Sequence, residues 1–104
     1  MRSAKIFVNK TLAGRLIKTD KQDKYVFTYE DNYQGSPVSL TMPIQKKMYE
    51  FEKFPPFFEG VLPEGQQLEA LLRQAKLDRN DYFGQLMRVG ADLVGAVSVE
   101  EEQP

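Results

Sequence analysis

The chain of 104 residues contains no cysteine, no histidine and no tryptophan. Without cysteine it can form neither a disulfide framework nor a thiolate metal site. Without histidine it lacks the usual general base, the Ser-His-Asp triad and the commonest zinc ligand. The groups that remain for chemistry are carboxylates, lysines and tyrosines, which every globular protein carries. The composition therefore indicates no catalytic centre and no metal site.

Long apolar runs and a strong net charge are also missing. No run of about 18 apolar residues is present, so no membrane span is predicted. The first five residues, MRSAK, lack the apolar stretch of a secretory signal, and we expect a cytoplasmic protein. The net charge is −1, far from the basic excess of a dedicated nucleic-acid binder. We expect direct binding to neither membranes nor nucleic acids.

The charges that are present are distributed unevenly along the chain. Residues 1–53 carry ten Lys and Arg against six Asp and Glu, whereas residues 54–104 carry four against nine. One interpretation is chance combined with the acidic run at residues 100–102. The other is a pair of surfaces of opposite sign that steer a charged protein partner.

Alternating and β-branched runs predict four strands in the first half of the chain, at residues 5–8, 12–18, 24–29 and 38–42. Residues 46–53 combine weak alternation with good helix formers, and we favour an extended segment there. Gly14 lies inside the second predicted strand and indicates a bulge or a close backbone approach.

Tyr25, Phe27 and Tyr29 share one face of the third predicted strand. Such a face can stack nucleic-acid bases or form half of a sheet core. Because no row of Lys and Arg accompanies the aromatic side chains, we favour the core.

The second half of the chain reads as helical until a final strand. Residues 57–62 predict a short helical turn, and a longer helix follows from Pro63 to about Leu77, with apolar residues at i, i+3, i+4 and i+7. Asp78 or Asn80 is expected to cap the next helix, and Gly90 to end it.

Residues 93–99 predict the last strand, and residues 97–104 are assigned to an acidic tail. A lone Gly-x4-Gly at Gly90 and Gly95 is not a phosphate loop, because Ala and Val follow it instead of Lys and Ser or Thr. The order of elements predicts a single α+β domain, with a mostly antiparallel sheet and two helices packed on one side.

Four segments carry a family resemblance. Residues 55–65 read PPFFEGVLPEG, with three prolines and two glycines around an apolar step. In this segment the chain resembles the N-terminal subdomain of HipA-type serine/threonine kinase toxins. The segments SLTMP at 39–43, YFGQLM at 82–87 and GADLVGAV at 90–97 resemble further motifs of that family, in the family's order. The resemblance covers nearly the whole chain.

The resemblance implies a stand-alone counterpart of that subdomain, similar to the HipS component of a tripartite HipBST-type toxin–antitoxin module. The His-Arg-Asp loop and the Asp-Phe-Gly motif of kinases are absent from the sequence. The implied function is a non-enzymatic antitoxin, needing no cofactor and monomeric when free, that binds and inhibits a separate HipT-like kinase.

Two other interpretations stay open. The chain could be a co-regulator or assembly module that bridges the kinase and a HipB-like DNA-binding repressor without inhibiting catalysis. It could also be a fragment of a long kinase, although Met1 and the acidic ending favour a natural small protein.

The predicted contact with the kinase is the loop after the two phenylalanines and the first turn of the following helix. Two glycines and a proline there make either a plain turn or a rigid loop that binds a partner at low entropic cost. Gln66 stands where members of the family often place a bulky residue. The predicted partner-binding residues are Phe58, Glu59, Gly60, Leu62, Pro63, Glu64, Gly65 and Gln66.

Overall fold

A computed structural model describes residues 2–21, 24–93 and 95–102 of the chain. Five strands form one antiparallel sheet, and three helices lie between the fourth and fifth strands in sequence. In chain order the elements are β1 (Arg2–Val8), β2 (Thr11–Lys18), β3 (Tyr25–Tyr29), β4 (Met48–Phe51), α1 (Pro56–Gly60), α2 (Gly65–Ala75), α3 (Tyr82–Val89), a 3-10 turn (Gly90–Asp92) and β5 (Val97–Glu101).

The sheet order is β4-β3-β2-β1-β5, so the last strand returns to pair with the first. The helices pack on one side of the sheet, which confirms the predicted α+β architecture. The two predicted long helices are α2 and α3, and the predicted helical turn is the five-residue helix α1.

Alternation places the core on the helix-facing side of the sheet. Tyr25, Phe27 and Tyr29 are all buried, which confirms that they form a core face and leaves none of them free to stack bases. Phe83 and Leu86 of α3 are fully buried on the same side. The opposite side, which we call the open face, carries half-exposed and exposed residues such as those at positions 5, 17, 26 and 48.

The β1–β2 hairpin closes through a two-residue turn at Asn9 and Lys10, whose φ angles are 50° and 68°. Positive φ at both central residues is the turn geometry that matches the twist of paired strands. The register shifts between Ile6 and Phe7, so that Ala13 is the extra residue of a β-bulge. Beside it, a Cβ on Gly14 would lie 2.3 Å from the carbonyl oxygen of Thr28. Both alternatives predicted at this glycine are therefore present.

The predicted strand at residues 38–42 is wrong, because this segment folds as a turn. The amide of Met42 donates to the carbonyl of Ser39 at 2.9 Å, and the amide of Thr41 donates to the Ser39 hydroxyl. The buried hydroxyl of Tyr29 accepts from the amide of Val38 and donates to the carbonyl of Met42. Side chains thus satisfy backbone groups that a neighbouring strand would otherwise pair. The extended segment favoured at 46–53 contains β4.

The hydroxyl of Tyr29 is protonated when it donates to the carbonyl of Met42. Burial raises the pKa of its hydroxyl above the ordinary value, against the opposing effect of the hydrogen bond from Val38. The proton needed for the bond to Met42 therefore stays in place.

Two helix boundaries differ from the predictions. Asp81, not Asp78 or Asn80, caps α3, since its carboxylate accepts from the amide of Gly84 at 2.9 Å. Helix α2 begins at Gly65 rather than Pro63, because Glu64 is still extended at the N-cap, with φ −131° and ψ 167°.

The end of the chain also departs from its prediction. The last strand extends to Glu101, so most of the segment assigned to an acidic tail is a strand hydrogen-bonded to β1. Glu101 pairs with Arg2 at 2.8 Å, and Glu102 pairs with Arg15 at 3.0 Å. Some of the basic residues of the first half of the chain thus form ion pairs with acidic residues of the second half. Residues 22–23, Val94 and residues 103–104 lie outside the described residues.

We expect Gly14→Ala to lower the free energy of unfolding by about 1–3 kcal/mol, because the added methyl group meets backbone that cannot move aside. Urea unfolding measures the change. Gly60→Ala is the matched control, since nothing lies within 4 Å of a Cβ there, and it should be neutral or slightly stabilising. Equal effects of the two substitutions would contradict the close approach at Gly14.

Glu102 should make folding stability depend on pH. The hydrogen bond from Arg15 is the main cause that lowers the pKa of Glu102, with Ser3 contributing. A carboxylate whose pKa is lower in the folded state stabilises the fold at neutral pH, and this contribution disappears as pH falls through the folded pKa. The urea midpoints of wild type and Glu102→Gln should differ at pH 7 and converge as pH falls below the ordinary pKa of glutamate and through the lower pKa of Glu102 in the folded state. A pH-independent difference would rule out this linkage.

Candidate functional site

Helix α1 owes its position to the two prolines that precede and begin it. Pro55 is the N-cap, with φ −59° and ψ 132°, and Pro56 occupies the first turn, where a missing N–H costs nothing. The two phenylalanines follow on the helix and point in different directions. Phe58 is fully buried, with its ring centroid 6.4 Å from that of Phe27 in the sheet, whereas Phe57 is half-buried. One of the two adjacent rings thus enters the core, and the other stays partly exposed.

The loop between α1 and α2 is anchored on its core side and exposed on its outer side. At the end of α1, the amide of Val61 donates a hydrogen bond to the carbonyl of Phe58. The amide of Leu62 donates to the carbonyl of Glu59 at 3.2 Å. The side chain of Leu62 is buried and joins the core cluster. Gly65 has φ +59°, a left-handed conformation that favours glycine, and it turns the chain into α2. The loop therefore has a defined shape before any partner binds.

The eight predicted site residues differ in exposure. Phe58 has no exposed surface, so in this conformation it anchors the loop and cannot contact a partner. Leu62 also anchors the loop and keeps only a small exposed part. Pro63 is half-buried. The exposed residues are Glu59, Gly60, Glu64, Gly65 and Gln66, and of these Glu59 and Glu64 lie at one hollow. Their role in binding stays a prediction.

A groove runs beside this loop, which we call the loop groove, with a volume of about 230 Å³. Four of the predicted residues line it, together with four from α2, α3 and the connection between those helices. The lining residues are Glu59, Leu62, Pro63, Glu64, Leu68, Arg79, Tyr82 and Gln85. The loop groove thus joins an acidic edge to an apolar floor.

The charges around the loop groove are not equivalent. The guanidinium of Arg79 is held by Glu69, at 2.6 Å and 2.8 Å to the two carboxylate oxygens. Glu59 and Glu64 are exposed and form no ion pair among the described residues. Two unpaired carboxylates at the edge of an apolar groove favour a ligand that brings positive charge.

Gln85 is the polar residue that sequence reasoning missed. Its side chain is 1 % exposed, and its amide nitrogen donates to the carbonyls of Asp78 and Arg79 at 3.2 Å and 3.0 Å. These bonds fix the connection that carries Arg79 into the loop groove. A signal was available, because Gln85 interrupts the apolar face of α3 between Tyr82 and Leu86.

Helix α2 forms one border of the loop groove but is only loosely attached to the domain. Leu68, Leu71, Leu72 and Ala75 recur on one face as predicted, yet no residue of α2 is buried and none joins the core cluster. The helix ends at Lys76 in a left-handed conformation, where the amide of Leu77 donates to the carbonyl of Leu72.

Three further hollows among the described residues are larger than the loop groove. One of about 690 Å³ and mixed polarity lies between the β1–β2 turn and residues 30–36. An apolar one of about 310 Å³ lies between β4 and α1, and one of about 270 Å³ lies beside Arg15, Thr28 and Lys47. Within residues 2–21, 24–93 and 95–102, no three carboxylates cluster as metal ligands would. The described helices also include none with the length and apolar character that crossing a bilayer requires.

Gly90 allows the chain after α3 to pack closely against β5, because a Cβ at this position would lie 2.4 Å from the carbonyl oxygen of Val99.

Comparisons with known proteins agree on one family. The model of the HipA N-terminal domain family matches residues 4–100. An uncharacterized protein of Haemophilus influenzae (strain Rd) is 31 % identical over 103 residues, which cover 99 % of this chain and 95 % of that protein. A solved structure described as the N-terminal domain of HipA toxin superposes with a TM-score of 0.76 at 26 % identity, covering 99 % of this chain and 94 % of the other.

The left-handed conformation at Gly65 should matter for the shape of the loop. We expect Gly65→Val to lower the free energy of unfolding by about 1–2 kcal/mol, since a β-branched residue is strained at positive φ. Gly65→Asn should cost clearly less, because asparagine tolerates this region. Thermal unfolding of the two variants distinguishes strain from simple loss of glycine, and equal losses would argue against strain.

Proposed function

Because this chain belongs to the HipA N-terminal domain family, we propose that it is a non-enzymatic antitoxin that binds and inhibits a separately encoded HipT-like serine/threonine kinase. The family relation supports a toxin–antitoxin context, and the domain concerned is not the kinase domain. The Haemophilus relative is covered over 95 % of its own length, so a protein of about this size exists there as well. That observation favours a small separate protein as the functional unit.

The observation that carries the proposed contact is the loop at residues 59–66. It presents two unpaired carboxylates and Gln66 from a backbone already fixed by Phe58 and Leu62. A rigid loop loses little conformational entropy on binding, so more of its contact energy contributes to affinity. We propose that it docks at the catalytic cleft of the kinase and blocks nucleotide or substrate access, or holds the active site inactive. Gln66 contributes polar contacts there, since it cannot act as an aromatic wedge.

A second candidate function is a bridging module that joins the kinase to a HipB-like repressor without inhibiting catalysis. The observation that favours it is the open face of the sheet, which the described helices leave uncovered. Ile17 and Val26 are paired across β2 and β3 there and are both half-buried. A second partner could bind this face while the kinase binds the loop.

Phosphorylation by the purified kinase, with and without equimolar amounts of this protein, tests the two candidates. Binding with loss of kinase activity supports the antitoxin. Binding with full kinase activity, accompanied by altered affinity of the repressor for its operator, supports the bridging module. Absence of binding would contradict both.

Charge reversal tests the contact itself. We expect Glu59→Lys with Glu64→Lys to weaken kinase binding at least tenfold, or about 1.4 kcal/mol, because a basic partner surface would meet like charge. Adding Gln66→Ala should weaken it further. Thermal stability should not change, since all three side chains are exposed.

The control for charge reversal is Asp92→Lys with Glu100→Lys, which changes the net charge equally at exposed positions outside the loop groove. It should leave the dissociation constant unchanged apart from a small effect that added salt removes. A loss as large as that of the loop variant would mean that net charge, not the loop, determines binding.

A further inference from the structure

The turn at residues 38–42 presents the most exposed large apolar side chain among the described residues. Leu40 is 93 % exposed, whereas Val38 and Met42 on either side of it are buried. The turn is held by the hydroxyl of Tyr29 from below and by the Ser39 hydroxyl within it. Hydrogen bonds therefore hold the backbone on both sides of Leu40.

A hollow of about 310 Å³, which we call the apolar pocket, lies beside this turn. Thr41 forms part of its rim. Its walls are formed by Met42, Tyr49, Phe51, Pro55, Pro56 and Phe57. The hydroxyl of Tyr49 donates to the carbonyl of Pro43 at 2.6 Å, and two prolines restrict the opposite wall. The apolar pocket is preformed, as ligand and anchor sites usually are.

Helix α1 connects the apolar pocket to the loop groove. Phe57 lines the apolar pocket, and Glu59, two residues further along the same helix, lines the loop groove. Between them Phe58 points into the core. The two hollows therefore lie on either side of one short helix, close enough for a single partner surface to cover both.

The two ends of this combined surface differ in charge. The ammonium group of Lys46 lies 5.1 Å from the centroid of the ring of Tyr49, which is one of the residues that line the apolar pocket. The unpaired carboxylates of Glu59 and Glu64 lie at the other end, beside the loop groove. A surface that is basic at one end, acidic at the other and apolar near the basic end selects the direction in which a partner binds.

We propose that the kinase that contacts the loop groove also inserts an apolar side chain into the apolar pocket, against Leu40, with an acidic group of the same segment beside Lys46. This inference rests on the proposed function and names the anchor of that interface. In protein interfaces a few buried apolar or aromatic contacts supply most of the affinity, while charges at the rim set orientation and association rate. In this interface the apolar pocket supplies the buried apolar contacts, and the carboxylates beside the loop groove supply the charges at the rim.

Leu40→Ser tests the anchor without disturbing the fold. Because Leu40 is almost fully exposed, its replacement should leave the unfolding temperature unchanged and raise the dissociation constant of the kinase complex at least tenfold. Met48→Ser is the matched control. Met48 is 50 % exposed but lies on the open face, opposite Tyr49 and Phe51 on β4, so its replacement should not change the affinity.

Lys46 provides a second variant. Lys46→Glu should weaken the complex several-fold and Lys46→Arg should restore it, with both effects reduced at high salt. The loss caused by Leu40→Ser should persist at high salt, because burial of apolar area is not screened.

Four results would overturn the inference. If the kinase binds wild type and Leu40→Ser equally, or if Met48→Ser weakens binding as much, the partner does not pack against Leu40 beside the apolar pocket, and the proposed function survives. If wild type self-associates through Leu40 while kinase binding is unaffected, a second copy occupies the pocket. If wild type does not bind the kinase at all, the proposed function fails together with the inference.

Discussion

The packing of Phe58 on Phe27 is the contact on which both candidate surfaces depend. It places α1 across the helix-facing side of the sheet, with Phe57 directed to the apolar pocket and Glu59 to the loop groove. The ring of Phe27 also meets that of Tyr29 edge-on, at 4.8 Å between centroids. Tyr29 in turn fixes the turn that carries Leu40. One aromatic row therefore determines the position of the loop, the turn and the pocket between them.

Strand patterns that depend on side-chain alternation could be predicted from the sequence. The aromatic residues Tyr25, Phe27 and Tyr29 alternate with other residues at a period of two, and this pattern is typical of a strand with one buried face. The turn at residues 38–42 could not be predicted in this way. Its apolar residues resemble those of a strand, and the deciding interaction is a hydroxyl from β3, which only the tertiary structure brings near. The cap at Asp81 was missed for a local reason, because Asp78, Asn80 and Asp81 are all residue types that cap helices and lie within four positions.

Only the wall of the loop groove that is formed by the loop itself could be predicted from the sequence. The spacing of prolines, glycines and phenylalanines in residues 55–65 indicates a fixed loop, and the structure has one. The far wall of the loop groove comes from Arg79, Tyr82 and Gln85, whose approach depends on how α2 and α3 pack. Helix packing angles follow from the side chains at the contact, and no local pattern records them. The apolar pocket escaped prediction because its walls come from three separate segments.

The pairing of β1 with β5 has a consequence for the order in which the fold can form. Residues 4–8 hydrogen-bond with residues 97–101, so the first strand synthesised is completed by the last. Contacts so distant in sequence close late, because the loop between them must lose its freedom first. On the ribosome, the hairpins of β1 to β4 can form while one edge of β1 still lacks its neighbour. The nascent domain therefore exposes one unpaired edge of β1 until residues 97–101 have emerged, and that edge is open to pairing with another chain during this interval.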